Sequence, residues 1–184
     1  MRITTGKFKG RVLRTVKDLS VRPATDRVRQ TVFNVLTHRM ELEGCRVLDL
    51  FAGSGSLGIE ALSRGAAHAT FVESDGNALG YLEANLGALG CDDESSVLQM
   101  DSLQFLRQGG KPFDLIFADP PYAYEATQEI PLEVFSRALL AVDGYLVIEH
   151  ARPQEFSPSA AYAIGPVKQF GRTVVTFFTR NSVP

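Results

Sequence analysis

The sequence lacks the features that mark several protein classes. None of its apolar runs approaches the roughly 20 residues that a bilayer-spanning helix needs. The start, Met1-Arg2-Ile3-Thr4-Thr5-Gly6, has no apolar stretch of the secretory kind. Both absences point to a cytoplasmic protein with no membrane partner. Cysteine is scarce: Cys45 and Cys91 form no CxxC and have no nearby histidine pair, so neither a disulfide framework nor a metal site is suggested, and they read as buried or incidental thiols. His38, His68 and His150 stand outside any motif, which leaves no Ser/His/Asp or Cys/His set for nucleophilic catalysis. Internal repeats and low-complexity stretches are missing as well.

The 184 residues are 45% hydrophobic and 22% charged, an ordinary globular balance in a length that suits one domain, 1–184. The net charge of −2 hides an asymmetry. Residues 1–40 hold ten Lys/Arg against Asp18 and Asp26, a local +8, and the remainder carries −10. A basic extension over residues 1–42 on an acidic body is the pattern to explain, and nucleic acid is the partner that such an extension fits.

Around Gly6-Lys7-Phe8-Lys9-Gly10, the stretches Arg2-Ile3-Thr4 and Arg11-Val12-Leu13 alternate polar and apolar residues, which predicts a small β-hairpin. From Thr25 or Asp26 to about Leu42, Val28, Val32, Phe33, Leu36 and Met40 recur at helical spacing, with Thr25 as a candidate N-cap. Strand and helix then alternate. Strands are expected at Val47–Leu50, Ala69–Val72, Val97–Met100, Leu115–Ala118 and Tyr145–Ile148, and helices at Ser56–Ser63, Ala78–Leu89, Leu103–Arg107 and Leu132–Leu140. Strands apolar on both faces between helices give an α/β class, a mostly parallel doubly wound sheet. Ala161–Ile164 and Thr173–Thr179 are separated by only a short Gly-Pro-containing connection, too short for a crossover, so the sheet should end in an antiparallel hairpin.

After the first strand comes Asp49-Leu50-Phe51-Ala52-Gly53-Ser54-Gly55-Ser56-Leu57-Gly58, a G-x-G-x-x-G loop opening a helix. Such glycines let backbone approach a nucleoside ligand, and Glu73 at the end of the second strand can accept both ribose hydroxyls. These features alone suit a nicotinamide-dependent dehydrogenase almost as well. Asp49 favours a cationic cofactor such as S-adenosylmethionine over a pyrophosphate. Asp101, with Ser102 beside it, ends the third strand; it can accept an adenine amino group or simply cap the next helix.

Two prolines directly after Leu115–Ala118 fix a rigid turn at the carboxyl end of that strand, the edge where open α/β sheets bind ligands. In Asp119-Pro120-Pro121-Tyr122, the Asp119 carboxylate and the Pro120 carbonyl, held by Pro121, can accept hydrogens from an exocyclic base amine. They thereby orient a weak nucleophile and stabilise the charge that develops on it. Tyr122 offers a ring on which an extruded base can stack. The chemistry identifies an exocyclic amine but does not choose between guanine and adenine.

The whole chain resembles the bacterial methyltransferases that methylate a guanine N2 amine of 16S ribosomal RNA. The resemblance runs through Met1-Arg2-Ile3, Gly6 to Arg11, Arg22-Pro23-Ala24-Thr25-Asp26-Arg27-Val28-Arg29-Gln30-Thr31, Leu48 to Ala66, Phe71-Val72-Glu73, Asn85, Asp119 to Tyr122 and Phe170-Gly171-Arg172-Thr173. Ala24, Gln30 and Phe170-Gly171-Arg172 depart from it, a hydroxyl residue, Glu and Tyr-Gly-Asp being more familiar at those places.

The resemblance implies a Rossmann-like methyltransferase fold with S-adenosylmethionine as cofactor and 16S rRNA in an assembling small subunit as partner. It implies that Asp119, Pro120, Pro121 and Tyr122 hold the base and that Gly53, Gly55, Glu73 and Asp101 hold the cofactor, with Asp49, Ala52 and Ser102 in the same loops. The basic extension, through Lys7, Lys9, Arg11, Arg22, Arg27 and Arg29, is expected to grip RNA. The rivals are an adenine-N6 methyltransferase on DNA or RNA, a dehydrogenase, and a non-catalytic RNA-binding module.

Overall fold

A computed structural model of the chain describes residues 1–15 and 26–181. In chain order the elements are α1 (Asp26–Thr37), β1 (Arg46–Leu50), α2 (Ser56–Ser63), β2 (His68–Glu73), α3 (Gly76–Leu89), β3 (Ser95–Gln99), α4 (Ser102–Gln108), β4 (Phe113–Ala118), α5 (Glu129–Ser136), β5 (Leu140–Ala151), β6 (Ala163–Phe170) and β7 (Thr173–Thr179). The seven strands form one sheet in the order β3-β2-β1-β4-β5-β7-β6. β1 to β5 are parallel, and β7 pairs antiparallel with both β5 and β6. The class is α/β and Rossmann-like, as the alternation of elements predicts.

The alternation of side chains along each strand feeds two cores. Val47, Phe71, Leu115 and Phe117 face α1, α2 and α3 through Phe33, Leu36, Ile59, Leu62 and Leu82. Leu48, Leu50, Ile116 and Ile148 face α4 and α5 through Leu103, Leu106, Ile130 and Val134. Successive residues of one parallel strand are buried on opposite faces, which is why these strands read as continuous apolar runs. Strand order reverses between β1 and β4, so the crevice outside their carboxyl ends is the place this topology offers a ligand.

Three expectations shift. α1 stops at Thr37 rather than near Leu42, because the Arg39 and Met40 amides both turn back to the Leu36 carbonyl (2.8 and 2.9 Å). The helix expected over Leu132–Leu140 is α5, Glu129–Ser136. Ala138 takes a left-handed φ of 54°, and Phe113 donates to the Leu139 carbonyl (2.8 Å), drawing the chain into the sheet at Leu140. Gly165-Pro166 is not the hairpin connection but lies inside β6, at a register shift between Ile164 and Val167. β6 is an edge strand, where a proline removes no ladder bond. The turn itself is Gly171-Arg172, with Gly171 at φ 62°.

The predicted N-terminal hairpin is present: Arg2 bridges Val12, Ile3 donates to Arg11 (3.0 Å), Gly10 donates to Ile3 (2.9 Å), and Ile3 and Leu13 are buried. It docks on α2. Glu60, fully buried, accepts from the Thr4 amide (2.9 Å), the Thr4 hydroxyl (2.6 Å), the Thr5 amide (3.2 Å) and Arg64 Nε (2.9 Å). Lys7 donates its amide to the Ser63 carbonyl (2.7 Å), and at Gly6 a Cβ would stand 1.6 Å from that same oxygen. Only glycine fits there.

Candidate active site

The turn after β1 is built by conformations that few residues adopt. Gly53 and Gly55 have φ of 56° and 83°, and Phe51, which has a side chain, also takes φ 56°. A non-glycine residue held at positive φ marks a strained site. At Gly55 a Cβ would meet Leu82 Cδ1 at 2.3 Å, so that glycine serves packing, whereas a Cβ at Gly53 would meet no atom within 4 Å. The open space in front of Gly53 is where a ligand can lie along the backbone.

Carboxylates surround that space. Glu73, at the end of β2, accepts from Gly53 (2.8 Å) with one oxygen and from the Ser74 and Asp75 amides (both 2.8 Å) with the other. Asp101 caps α4 through Oδ1, which accepts from Gln104 (2.9 Å), and its side chain is otherwise open to solvent. The capping alternative is therefore realised, and the second oxygen remains for a ligand. Ser102 is buried and accepts from the Phe51 amide (3.3 Å). Ala52 closes the turn by accepting from Gly55 (2.8 Å). Asp49 lies beneath the loop, buried, its Oδ2 accepting from the Gly58 amide (2.8 Å). Burial pushes its carboxyl up to about 8 against the pull of the Gly58 hydrogen bond, and Glu73 raises it further. A buried carboxyl of this kind gains from a nearby cation.

The Asp119 loop follows β4 and is pinned on both sides. Toward β1, Asp119 donates its amide to the Leu50 carbonyl (3.5 Å), and the Tyr124 ring packs edge-on against Phe51 at 4.9 Å between centroids. Within the loop, Tyr124 donates to the Pro121 carbonyl (2.8 Å). On the far side, the Tyr122 hydroxyl meets the Thr173 hydroxyl at 2.5 Å, leaving Tyr122 46% exposed. Pro120 is buried, Pro121 exposed and Asp119 half-buried. The Asp119 carboxyl is held well above the usual range by desolvation, then by the charges of Glu149 and Asp49. Glu149, its neighbour across the β4/β5 pairing, is itself pushed up to about 7 by burial.

The expected RNA-gripping residues do not form one cluster. Ser63 and Ala88 lie at the far ends of helices that start beside the carboxyl ends of β1 and β2. The hairpin turn bonded to them therefore sits at the amino-terminal edge of the sheet. Lys7 pairs there with Glu94, Arg11 donates to the Ala88 carbonyl (2.7 Å), and Lys9 is exposed. Arg29 is a correction. It is 1% exposed, donates to Asp26 Oδ1 (2.8 Å) and to the Arg2 carbonyl, and has Glu60 at 3.6 Å, so it is committed to protein and not to RNA. Arg27 is exposed at the start of α1; its neighbours Val28 and Arg29 line a small cavity with Ala118 and Glu149, which sets it at the Asp119 edge. Arg22 and the Thr25 cap lie outside the described residues. A broad groove of about 1150 Å³ among Lys7, His38, Glu43 and Glu94 also lies at the amino-terminal edge, away from Asp119. Size does not mark the site.

Sequence reasoning missed Phe51, Glu60, Glu149 and Thr173 and gave Asn85 no role. Asn85, buried, accepts from the Arg14 amide (2.8 Å) and donates to the carbonyls of Arg14 (2.9 Å) and Ser54 (3.0 Å), tying the N-terminal extension to the glycine loop. A polar residue at an interior helical position facing Leu82 and Leu86 was the available signal. Both cysteines fit the expectation of inert thiols, burial pushing each up to about 11.

A glycine loop at the topological switch point, acidic groups at successive strand ends and an acid-proline turn after β4 together define a Rossmann-like methyltransferase. Residues 1–179 match the family model "Conserved hypothetical protein 95". The chain is 36% identical to "Putative rRNA methyltransferase YlbH" of Bacillus subtilis (strain 168), over 98% of this chain and 100% of that one. It is 38% identical to "Ribosomal RNA small subunit methyltransferase D" of Escherichia coli (strain K12), over 81% and 74%. The solved structure of "Putative methyltransferase yhhF from Escherichia coli" superposes with a TM-score of 0.86 at 32% identity, covering 100% of this chain and 99% of that one. The protein belongs to this family of ribosomal RNA small-subunit methyltransferases.

Proposed function

We infer that the protein transfers a methyl group from S-adenosylmethionine to the exocyclic N2 amine of a guanine in 16S rRNA, in the cytoplasm and within an assembling small subunit. The observation that carries this reading is the Asp119 loop, which sets a half-buried carboxyl next to an exposed aromatic ring at the mouth of the glycine-loop crevice. Small-subunit ribosomal RNA as the substrate is supported by the name of the E. coli relative, and the choice of guanine by the resemblance along residues 22–36.

The residues around Gly53 fit the cofactor. Glu73 and Asp101 offer acceptors for hydroxyl and amine groups, and Asp49, a buried carboxyl beneath the loop that a nearby cation would help to ionise, makes the set better suited to a cationic nucleoside than to a pyrophosphate. S-adenosylmethionine, when bound there, supplies an electrophilic methyl on sulfonium sulfur. Tyr122 stacks the extruded base while Thr173 holds its ring in place. Asp119 and the Pro120 carbonyl accept the amine hydrogens, aim the nitrogen lone pair and stabilise its positive charge as the new N–C bond forms. Once ionised, the Asp119 carboxylate, whose proton affinity burial and then Glu149 raise, accepts the proton that the methylated amine releases.

The test is methylation of small ribosomal subunits that lack the modification with labelled S-adenosylmethionine, followed by digestion to nucleosides. Label in N2-methylguanosine is expected. Label in N6-methyladenosine would sink the guanine reading while leaving the amine chemistry intact.

A further inference from the structure

We propose that the turn joining β6 to β7 is an RNA contact, in which the Arg172 guanidinium takes a backbone phosphate next to the target base. This inference rests on the reading of the protein as an RNA methyltransferase. Ala151 of β5 pairs with Thr173, and Ala118 of β4 pairs with Ile148, so the start of β7 lies at the same edge as Asp119. The Tyr122–Thr173 hydroxyl contact of 2.5 Å puts Arg172 one residue from the partner of the ring that receives the base. A base extruded onto that ring carries its flanking phosphates with it.

The turn is rigid and its cation is free. Gly171 takes φ 62°, and Arg152 donates its amide to the Arg172 carbonyl (3.0 Å), which fixes the backbone from a second strand. The Arg152 side chain is spent on Gln169, whereas the exposed Arg172 guanidinium has no partner among the described residues. With exposed Arg27 at the start of α1, the Asp119 rim thus carries unpaired positive charge. At the opposite edge Lys7 is neutralised by Glu94.

The experiment measures binding of an unmodified 16S rRNA transcript by fluorescence anisotropy across a salt series, for the wild type, Arg172→Ala, Arg172→Lys, Arg172→Asp and, as a control at an exposed lysine just before β4, Lys111→Ala. Arg172→Ala is expected to weaken binding roughly fivefold and to lower the salt slope by about one, as the loss of one phosphate contact does. Arg172→Asp should cost more and Arg172→Lys should keep the slope. Lys111→Ala should match the wild type, and S-adenosylhomocysteine affinity should be unchanged in all. Wild-type affinity and slope in both Arg172→Ala and Arg172→Asp, or no transcript binding by the wild type, overturns the inference. Loss of binding in these variants alongside a wild type that makes no N2-methylguanosine would leave the inference standing and remove the guanine reading instead.

Discussion

The two edges of the sheet use their basic side chains in opposite ways. At the amino-terminal edge the hairpin spends its cations on the protein: Lys7 pairs with Glu94, Arg11 caps the Ala88 carbonyl, and the Thr4 and Thr5 amides converge on Glu60, which also faces Arg29 and Arg64. At the carboxyl edge Arg27 and Arg172 are exposed beside the half-buried Asp119 carboxyl. Charge counted along a chain says how much is present. Only the fold says which of it is already neutralised.

Substitutions can break this contrast. The largest effect should follow Asp119→Ala, which removes the acceptor at the reacting nitrogen. Turnover in the labelled-methyl assay should fall about 10³-fold while S-adenosylhomocysteine affinity stays within a few fold. Undiminished turnover would take Asp119 out of the chemistry. Next, Glu60→Ala removes the buried carboxylate on which Thr4, Thr5 and Arg64 converge and leaves buried Arg29 with Asp26 alone as its ion-pair partner, and should cost roughly 3–5 kcal/mol in urea unfolding. Glu94→Ala, which breaks the exposed Lys7 pair, should cost about 1 kcal/mol or less. Equal losses from the two would erase the distinction between a buried dock and a surface contact.

The pH profile tests the carboxyl edge. Burial holds the Asp119 and Glu149 carboxyls above the usual carboxylate range, Glu149 at about 7, so each keeps its proton to higher pH than a free carboxyl does. kcat/KM should therefore climb with pH through the range in which Asp119 ionises and level off above it. The sign for stability is the reverse. The unfolded chain ionises these groups near pH 4 while the folded chain resists, so their contribution falls as pH rises from there toward 7. The smallest effect should be at the exposed hairpin tip: Lys9→Ala should change stability by about 0.5 kcal/mol at most, and a larger loss would mean that the tip has a partner of its own.

What was legible in the sequence is what local chemistry dictates. Ser56–Ser63 and Thr173–Thr179 have the bounds that their patterns predict, because glycine on one side and strict apolar runs on the other leave little choice. The Asp119 loop was legible because two prolines after an apolar strand cannot continue it. The landing place of the hairpin was not, since it depends on Lys7 reaching Ser63 and Arg11 reaching Ala88, 77 residues away. Thr173 lies 51 residues from Tyr122, and nothing near either announces the contact. The burial of Arg29 did leave a trace: it stands one helical turn before Phe33, on the apolar stripe, where a charge needs a buried partner. That partner, Glu60, was hidden in another helix.

The Asn85 amide has a consequence for the order in which the molecule is made. Arg14 leaves the ribosome 71 residues ahead of the side chain that binds both of its backbone groups. The Arg14 backbone therefore gains these bonds only once the middle of α3 is made, and the glycine loop, joined to the same amide through Ser54, gains its bond at the same stage. A nascent chain that has passed β2 but not Asn85 already holds Gly53 and Glu73 yet lacks this bond. Competence for the cofactor should thus arrive together with the closing of Arg14 onto α3.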